Sequence, residues 1–221
     1  MLTFNCSQAA CDFFSRIHKG KTVTPVEKPP ISRVVEDELH GDPHQWLVHA
    51  ATVQRKHVLL AIHLKTRYCM LFFDMKKADS AGFVHAFTHR WQEGVMDLML
   101  KCGAMDMIAP PMCERLLSDA DKPFRMLQRS DRSSQGQLNE ILRVFKWDAE
   151  EFDFVRQPWS ALRYDAGINR TPRTIKGIKG YGYPVEEMLV HWLMTEGGVD
   201  ALTAEQVREK YRQVSLSRAV P

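Results

Sequence analysis

Between Trp46 and Asp74 the chain reads WLVHAATVQRKHVLLAIHLKTRYCMLFFD, the densest run of β-branched, aromatic and aliphatic residues in its 221. Polar residues break the run at Gln54-Arg55-Lys56-His57 and at Lys65-Thr66-Arg67, which predicts three consecutive strands joined by short turns. Consecutive strands tend to pair, so the economical arrangement is an antiparallel meander. Val58 to Ile62 and Tyr68 to Phe73 are apolar on both alternating faces, as in a sheet covered on each side. If Val53 opposes Val58 across a four-residue loop, His49 lies opposite Ile62 and His63 opposite Val48. The two imidazoles then point to opposite faces, and a loop one residue longer or shorter would reverse this.

The flanking sequence alternates strand and helix signals. Leu2 to Cys6 predicts a short strand, with Ser7 as the N-cap of a helix carrying Ala9, Ala10, Phe13, Phe14 and Ile17 at helical spacing. The Pro-rich, Lys-containing stretch from Gly20 to Pro30 cannot sustain a helix. Phe83, Phe87, Trp91, Val95 and Leu98 mark one face of the longest helix, from about Ser80 to about Lys101, capped by Asp79 or Ser80 and stopped at Gly103. A shorter helical piece follows Pro110-Pro111 through Leu117, then a strand at Phe124 to Gln128. Asp131 or Ser133 caps a helix bearing Leu138, Ile141, Leu142 and Phe145. Past Phe154, Pro and Gly residues predict irregular chain until Pro184 opens a helix, followed by a last one from about Thr203 to Gln213 whose Arg208, Lys210 and Arg212 read as a solvated face.

The expected fold is therefore α+β, an antiparallel β-meander sheet with helices packed on it, with Leu60, Ile62, Leu71 and Phe87 buried. Residues 1–184 form its single domain, and residues 185–221 a helical extension packed on it. With 44% hydrophobic residues the chain can bury a core without disulfides or metals. Its five cysteines, Cys6, Cys11, Cys69, Cys102 and Cys113, have no paired or zinc-type spacing and read as reduced core residues. No signal peptide or membrane span is indicated, so a cytoplasmic protein is expected.

Several separated stretches resemble an uncharacterised bacterial family, one of the numbered domains of unknown function: Leu2-Thr3-Phe4-Asn5-Cys6-Ser7, the Trp46 strand leading to Arg55-Lys56, Thr66-Arg67-Tyr68, the Asp131-Arg132-Ser133 to Leu138-Asn139 segment, and Asn169-Arg170-Thr171-Pro172. The resemblance spans Met1 to Pro184 and implies an α+β domain with an antiparallel sheet. The family has no established activity, so the resemblance transfers no catalytic residue.

Three groups of residues carry candidate chemistry. His40, Asp42, His44 and His49 hold imidazoles and a carboxylate in a short stretch, with His44 and His49 as acid–base candidates, but the spacing matches no metal signature and local hydrogen bonding is the alternative. Arg129, Arg132 and Ser133 flank the start of a helix, where free N–H groups favour a phosphate; here the alternative is that Asp131 or Ser133 simply caps the helix. Arg156, Arg163, Tyr164, Arg170, Arg173, Lys176 and Lys179, with Trp159, Tyr181 and Tyr183, interleave cations and rings in the manner of a single-stranded nucleic-acid surface. Trp159 or Tyr164 could equally anchor that segment to the core. A net charge of +3, from 30 basic and 27 acidic residues, is too small to argue nucleic-acid binding alone, whereas the local basic segment argues it better. No hydrolase, kinase, zinc-protease or dinucleotide motif is present. The leading expectation is a non-enzymatic cytoplasmic protein binding RNA or another single-stranded nucleic acid, without cofactor or metal. The alternatives are an enzyme acting on a nucleotide or phosphoester, with Arg129 and Arg132 on phosphate and His44 or His49 as acid–base group, and a regulatory protein whose basic loop binds an acidic protein.

Overall fold

The computed structural model describes residues 1–28, 43–108, 110, 123–152 and 160–217. The helical piece expected after Pro110 falls almost wholly outside them, as do His40, Asp42, Cys113, Arg156 and Trp159. In chain order the strands are β1 (Leu2–Cys6), β2 (Arg16–His18), β3 (Lys21–Val23), β4 (Val26–Glu27), β5 (Gln45–Val53), β6 (Lys56–His63), β7 (Cys69–Phe73) and β8 (Phe124–Gln128). The helices are α1 (Gln8–Phe14), α2 (Ser80–Lys101), α3 (Arg132–Phe152), α4 (Ser160–Ile168), α5 (Pro184–Thr195) and α6 (Ala201–Ser217). The mixture of elements is α+β overall.

The expected meander exists: β5, β6 and β7 pair antiparallel in sequence order. It is only half of the sheet. The six strands lie in the order β4-β8-β1-β5-β6-β7, and β4, β8, β1 and β5 run parallel, which corrects the expectation of an antiparallel sheet. Parallel neighbours need long crossovers, and β1 and β8, adjacent in space, are more than a hundred residues apart in the sequence. Local patterning identifies a strand but not a partner so distant.

The β5–β6 connection is tighter than expected. Val53 opposes Lys56, leaving only Gln54 and Arg55 in the loop, at φ of 48° and 64°. Two consecutive left-handed residues match the twist of a two-residue hairpin better than an open four-residue loop does. The register shifts by two relative to expectation, so His49 opposes Leu60, Trp46 opposes His63, and the imidazoles still point to opposite faces.

Each face of the sheet is covered. On one, Phe4 meets Phe83 at 5.4 Å and Phe87 at 4.9 Å between ring centres, and Trp46 meets Phe87 at 4.8 Å. Apolar residues of α1, α2, α5 and α6 complete this core. On the other face Leu47, Val58, Leu60, Ile62 and Leu71 pack against Leu138, Ile141, Leu142, Phe145 and Ala149 of α3. Leu60, Ile62, Leu71 and Phe87 are all buried, as the sequence predicts.

Helix ends follow capping chemistry. Asp79 accepts the Gly82 amide at 2.8 Å to start α2, and Gly103, at φ of 63°, ends it while Ala104 donates back to Met99 at 2.9 Å. The first helix is shorter than expected, because Ser15 caps its end and Ile17 is an exposed residue of β2. α4 replaces part of the predicted irregular stretch. Asp165 is buried on its inward face and Asn169 just past its end, while Tyr164 and Ile168 are only partly buried against the core, so apolar periodicity marks it weakly. On α6, Lys210 and Arg212 are exposed as expected, although Arg212 also pairs with Glu186 at 2.7 Å, whereas Arg208 is largely covered and pairs with Glu187, so the two arginines tie α6 to the first turn of α5.

Candidate functional site

The structure separates His44 from His49. Five residues of strand put roughly 17 Å between them. His44 enters a buried knot at the start of β5, where its Nε2 lies 2.7 Å from Glu196 Oε1 and its ring lies 6.0 Å from that of His191. His63 and His191 each place Nε2 2.8 Å from the Pro43 carbonyl, and so must each donate to it. The Thr66 amide donates to His63 Nδ1 at 3.2 Å, which fixes that ring as the neutral tautomer. Burial pushes His63 well below the ordinary imidazole range and His191 down to about 4. The knot is structural: two neutral histidines hold one carbonyl. Among the described residues no group of three His, Cys, Asp or Glu side chains is placed to hold a metal ion.

His49 belongs to a different arrangement. Cys6 pairs with Val48 on one side and Gln128 on the other. The ladder continues one step: Ser7 donates its amide to the Val48 carbonyl at 2.9 Å, and Arg129 donates its own to the Cys6 carbonyl at 3.2 Å. Arg129, Ser7 and His49 thus form a row across three adjacent strand ends. Ser7 Oγ lies 2.9 Å from His49 Nδ1 while accepting the Ala10 amide at 3.3 Å. Alternation along β8, where Arg125 reaches Thr3 Oγ1 at 3.0 Å, places Arg129 on the same face. Burial, with the charge of Lys146 on α3, lowers the His49 pKa. One step below the row, Asn5 is buried; its Nδ2 donates to Gln45 Oε1 at 3.1 Å and its Oδ1 has no hydrogen-bond partner among the described residues.

Arg132 and Ser133 lie elsewhere. Asp131 caps α3 by accepting the Ser134 amide at 2.6 Å. Its carboxylate is 3.5 Å from the guanidinium of Arg67, a buried residue of the β6–β7 turn whose Nη2 also reaches Ser133 Oγ at 3.3 Å and whose Nη1 donates to Ser134 Oγ. Arg132 itself is exposed. The first turn of α3 therefore carries both a cap and an internal arginine, the arrangement of the capping alternative.

The basic segment divides into anchors and surface. Tyr164 donates to Asp148 Oδ2 at 2.9 Å and packs on Phe145, and Arg173 donates to the carbonyls of Arg67 at 2.9 Å and Ile168 at 2.7 Å. Both are scaffold. Arg173 and Gly182 exchange backbone hydrogen bonds at 2.8 and 2.9 Å, closing a loop that folds over buried Ile175 and turns at Gly177 and Gly180, both at positive φ. On it Lys176 and Lys179 are exposed, with Tyr181 at 74% and Tyr183 at 46% exposure; Arg170 is exposed just before it and Arg163 on α4. Arg170, Lys176 and Lys179 have no ion-pair partner among the described residues.

Sequence reasoning missed Ser7 as anything beyond a cap, and missed Lys146 and Asn5 altogether. Ser7 and Asn5 meet their neighbours through parallel pairing between strands some forty and over a hundred residues apart, and α3 brings Lys146 over the same face, relations that local sequence patterns do not carry. No helix among the described residues is long and apolar enough to cross a membrane. No curated protein and no solved structure matches the chain. A family model does match, over residues 3–187, a span that takes in the whole sheet, the Ser7–His49 row and the 170–183 loop: the chain belongs to the family described as Domain of unknown function (DUF6933).

Proposed function

We propose that this protein is a non-enzymatic cytoplasmic binder of single-stranded nucleic acid, RNA foremost, and that residues 170–183 form the binding surface. The observation that carries this reading is the loop closed between Arg173 and Gly182, which sets exposed Lys176, Lys179 and Tyr181 on one pinned element, with Arg170 and Tyr183 flanking it. Cations neutralise backbone phosphates, and exposed rings stack bases without selecting one sequence. A preformed loop also spends less ordering entropy on binding than a flexible one. Arg163 is a further exposed cation, on α4, while Arg173 and Tyr164 act indirectly by holding the scaffold.

Fluorescence anisotropy with a labelled single-stranded RNA tests this at low salt. Affinity is expected to fall as salt rises, and the Arg170→Gln, Lys176→Gln, Lys179→Gln triple variant to lower it across sequences and flatten the salt dependence. Tyr181→Ala is expected to cost about 1–3 kcal/mol if a base stacks on the ring. Absence of binding at low salt, or a triple variant that binds like the parent, overturns the proposal. Recovery of an acidic protein and no nucleic acid in a nuclease-controlled pull-down would assign the loop to a protein partner instead.

A further inference from the structure

We propose that the row Arg129–Ser7–His49, under α3, which packs on this face and carries Lys146, is a binding site for a small phosphomonoester, separate from the 170–183 loop. Three adjacent backbones fix the row. Neighbouring strands lie about 4.8 Å apart, so Arg129 and His49 flank Ser7 at a separation of about 10 Å, a gap that an arginine side chain and a phosphate together can span. Three of the groups, Arg129, Lys146 and His49, can donate to a phosphate, and Ser7 sets the tautomer that lets His49 do so. Ser7 Oγ accepts from Ala10, so its own hydrogen is available to His49 Nδ1, and in that tautomer Nε2 carries a hydrogen to donate. No described residue partners His49 Nε2. Neither Arg129 nor Lys146 is ion-paired among the described residues, although Arg129 Nε is buried and without a hydrogen-bond partner.

A half-buried site with two uncompensated cations around a neutral imidazole favours a dianion over a singly charged diester. The unpartnered Oδ1 of Asn5, one step down the same face, offers an acceptor for a hydroxyl on the ligand's organic part. The cap of α3 plays no role here, being closed by Asp131. The site also does not rest on the nucleic-acid reading, since none of its four residues belongs to the basic loop.

The probes are inorganic phosphate and ribose 5-phosphate, followed by calorimetry and by the NMR titration of His49. Both are expected to bind more tightly above about pH 6, where the second phosphate proton is lost, and to raise the His49 pKa when bound. Lys146→Gln and Arg129→Gln are each expected to weaken binding about tenfold through loss of a charge-assisted hydrogen bond, with Lys146→Arg restoring it. Lys146 is exposed, so its variants fold even if Arg129→Gln does not. Arg132→Gln and the loop triple variant are expected to bind phosphate like the parent, which keeps this site's failure distinct from that of the loop. The proposal is overturned if phosphate does not bind at tens of millimolar, if Lys146→Gln leaves the affinity unchanged, or if a single-stranded oligonucleotide shifts the His49 signals while ribose 5-phosphate does not.

Discussion

Two kinds of buried titratable side chain in this molecule respond to pH in opposite directions. His63 and His191 are held below the ordinary imidazole value of 6.5, mainly by burial. The unfolded chain therefore takes up their protons first, and the stability they contribute is present above pH 6.5 and lost as pH falls toward 4. Asp165 is the reverse. Burial outweighs the Arg90 guanidinium 2.8 Å away and raises its carboxyl to about 7, so its contribution is full below the unfolded value and lost as pH rises through about 7. Over the interval from 4 to 6.5 the slopes oppose, each differential proton being worth about 1.4 kcal/mol per pH unit. Denaturant titrations across this range should show a shallow rise of stability with pH in the parent. His191→Gln, which keeps a donor for the Pro43 carbonyl, should flatten the rise, and Asp165→Asn should steepen it. The opposite ordering of the two variants would show that the linkage is misassigned.

At the scale of elements, α4 does something that periodicity cannot announce. β7 is the last strand of the sheet, with a row of backbone groups facing away from β6. Asn169 accepts the Cys69 amide and donates to the Cys69 carbonyl, both at 2.7 Å, while Asp165 accepts the Leu71 amide at 2.9 Å and Arg90 donates to the Leu71 carbonyl. Side chains thus stand in for a seventh strand and close an edge that would otherwise invite association. Asn169→Ala leaves a buried N–H and C=O unmet, a cost of about 2–4 kcal/mol. Hydrogen exchange should then accelerate at Cys69 while the β5–β6 amides keep their protection relative to global stability; an unchanged Cys69 amide would show that the edge is covered by other means. The same contacts explain which elements were legible. The meander, α2, α3, α5 and α6 repeat an apolar period against a core, and so could be read directly. Asp165 of α4, Asn169 just after it and Arg90 of α2 read the sheet edge with polar groups, and β1 and β8 find partners far away in sequence, so their roles emerge only in three dimensions. The candidate sites follow the same rule: the exposed cations and rings of the loop are visible as composition, whereas the Ser7 row depends on strand order.

For the molecule as a whole, the question is how much of the chain the fold needs. The family match ends at residue 187, within α5, after only its first turn. Yet Met188, Leu189, Trp192 and Leu193 lie beyond that point and are fully or almost fully buried in the core beneath α2, with Trp91 Nε1 3.3 Å from Met188 Sδ and His191 holding the Pro43 carbonyl. Each large apolar side chain of this kind contributes roughly 1.5–3 kcal/mol by its burial, so the four together supply on the order of 10 kcal/mol. That is comparable to the whole net stability of an ordinary domain, about 5–15 kcal/mol. A chain truncated after residue 187 should therefore lack a cooperative thermal transition, and should expose the face of Phe87 and Trp91 to a hydrophobic dye. A chain ending after Gly198 keeps α5 and loses the Arg208–Glu187 and Arg212–Glu186 pairs and the buried Ala204, Val207 and Tyr211 of α6. It should unfold cooperatively at a lower temperature. If the chain truncated after residue 187 melts as sharply as the full chain, α5 is an accessory to the sheet and the core described here closes without it.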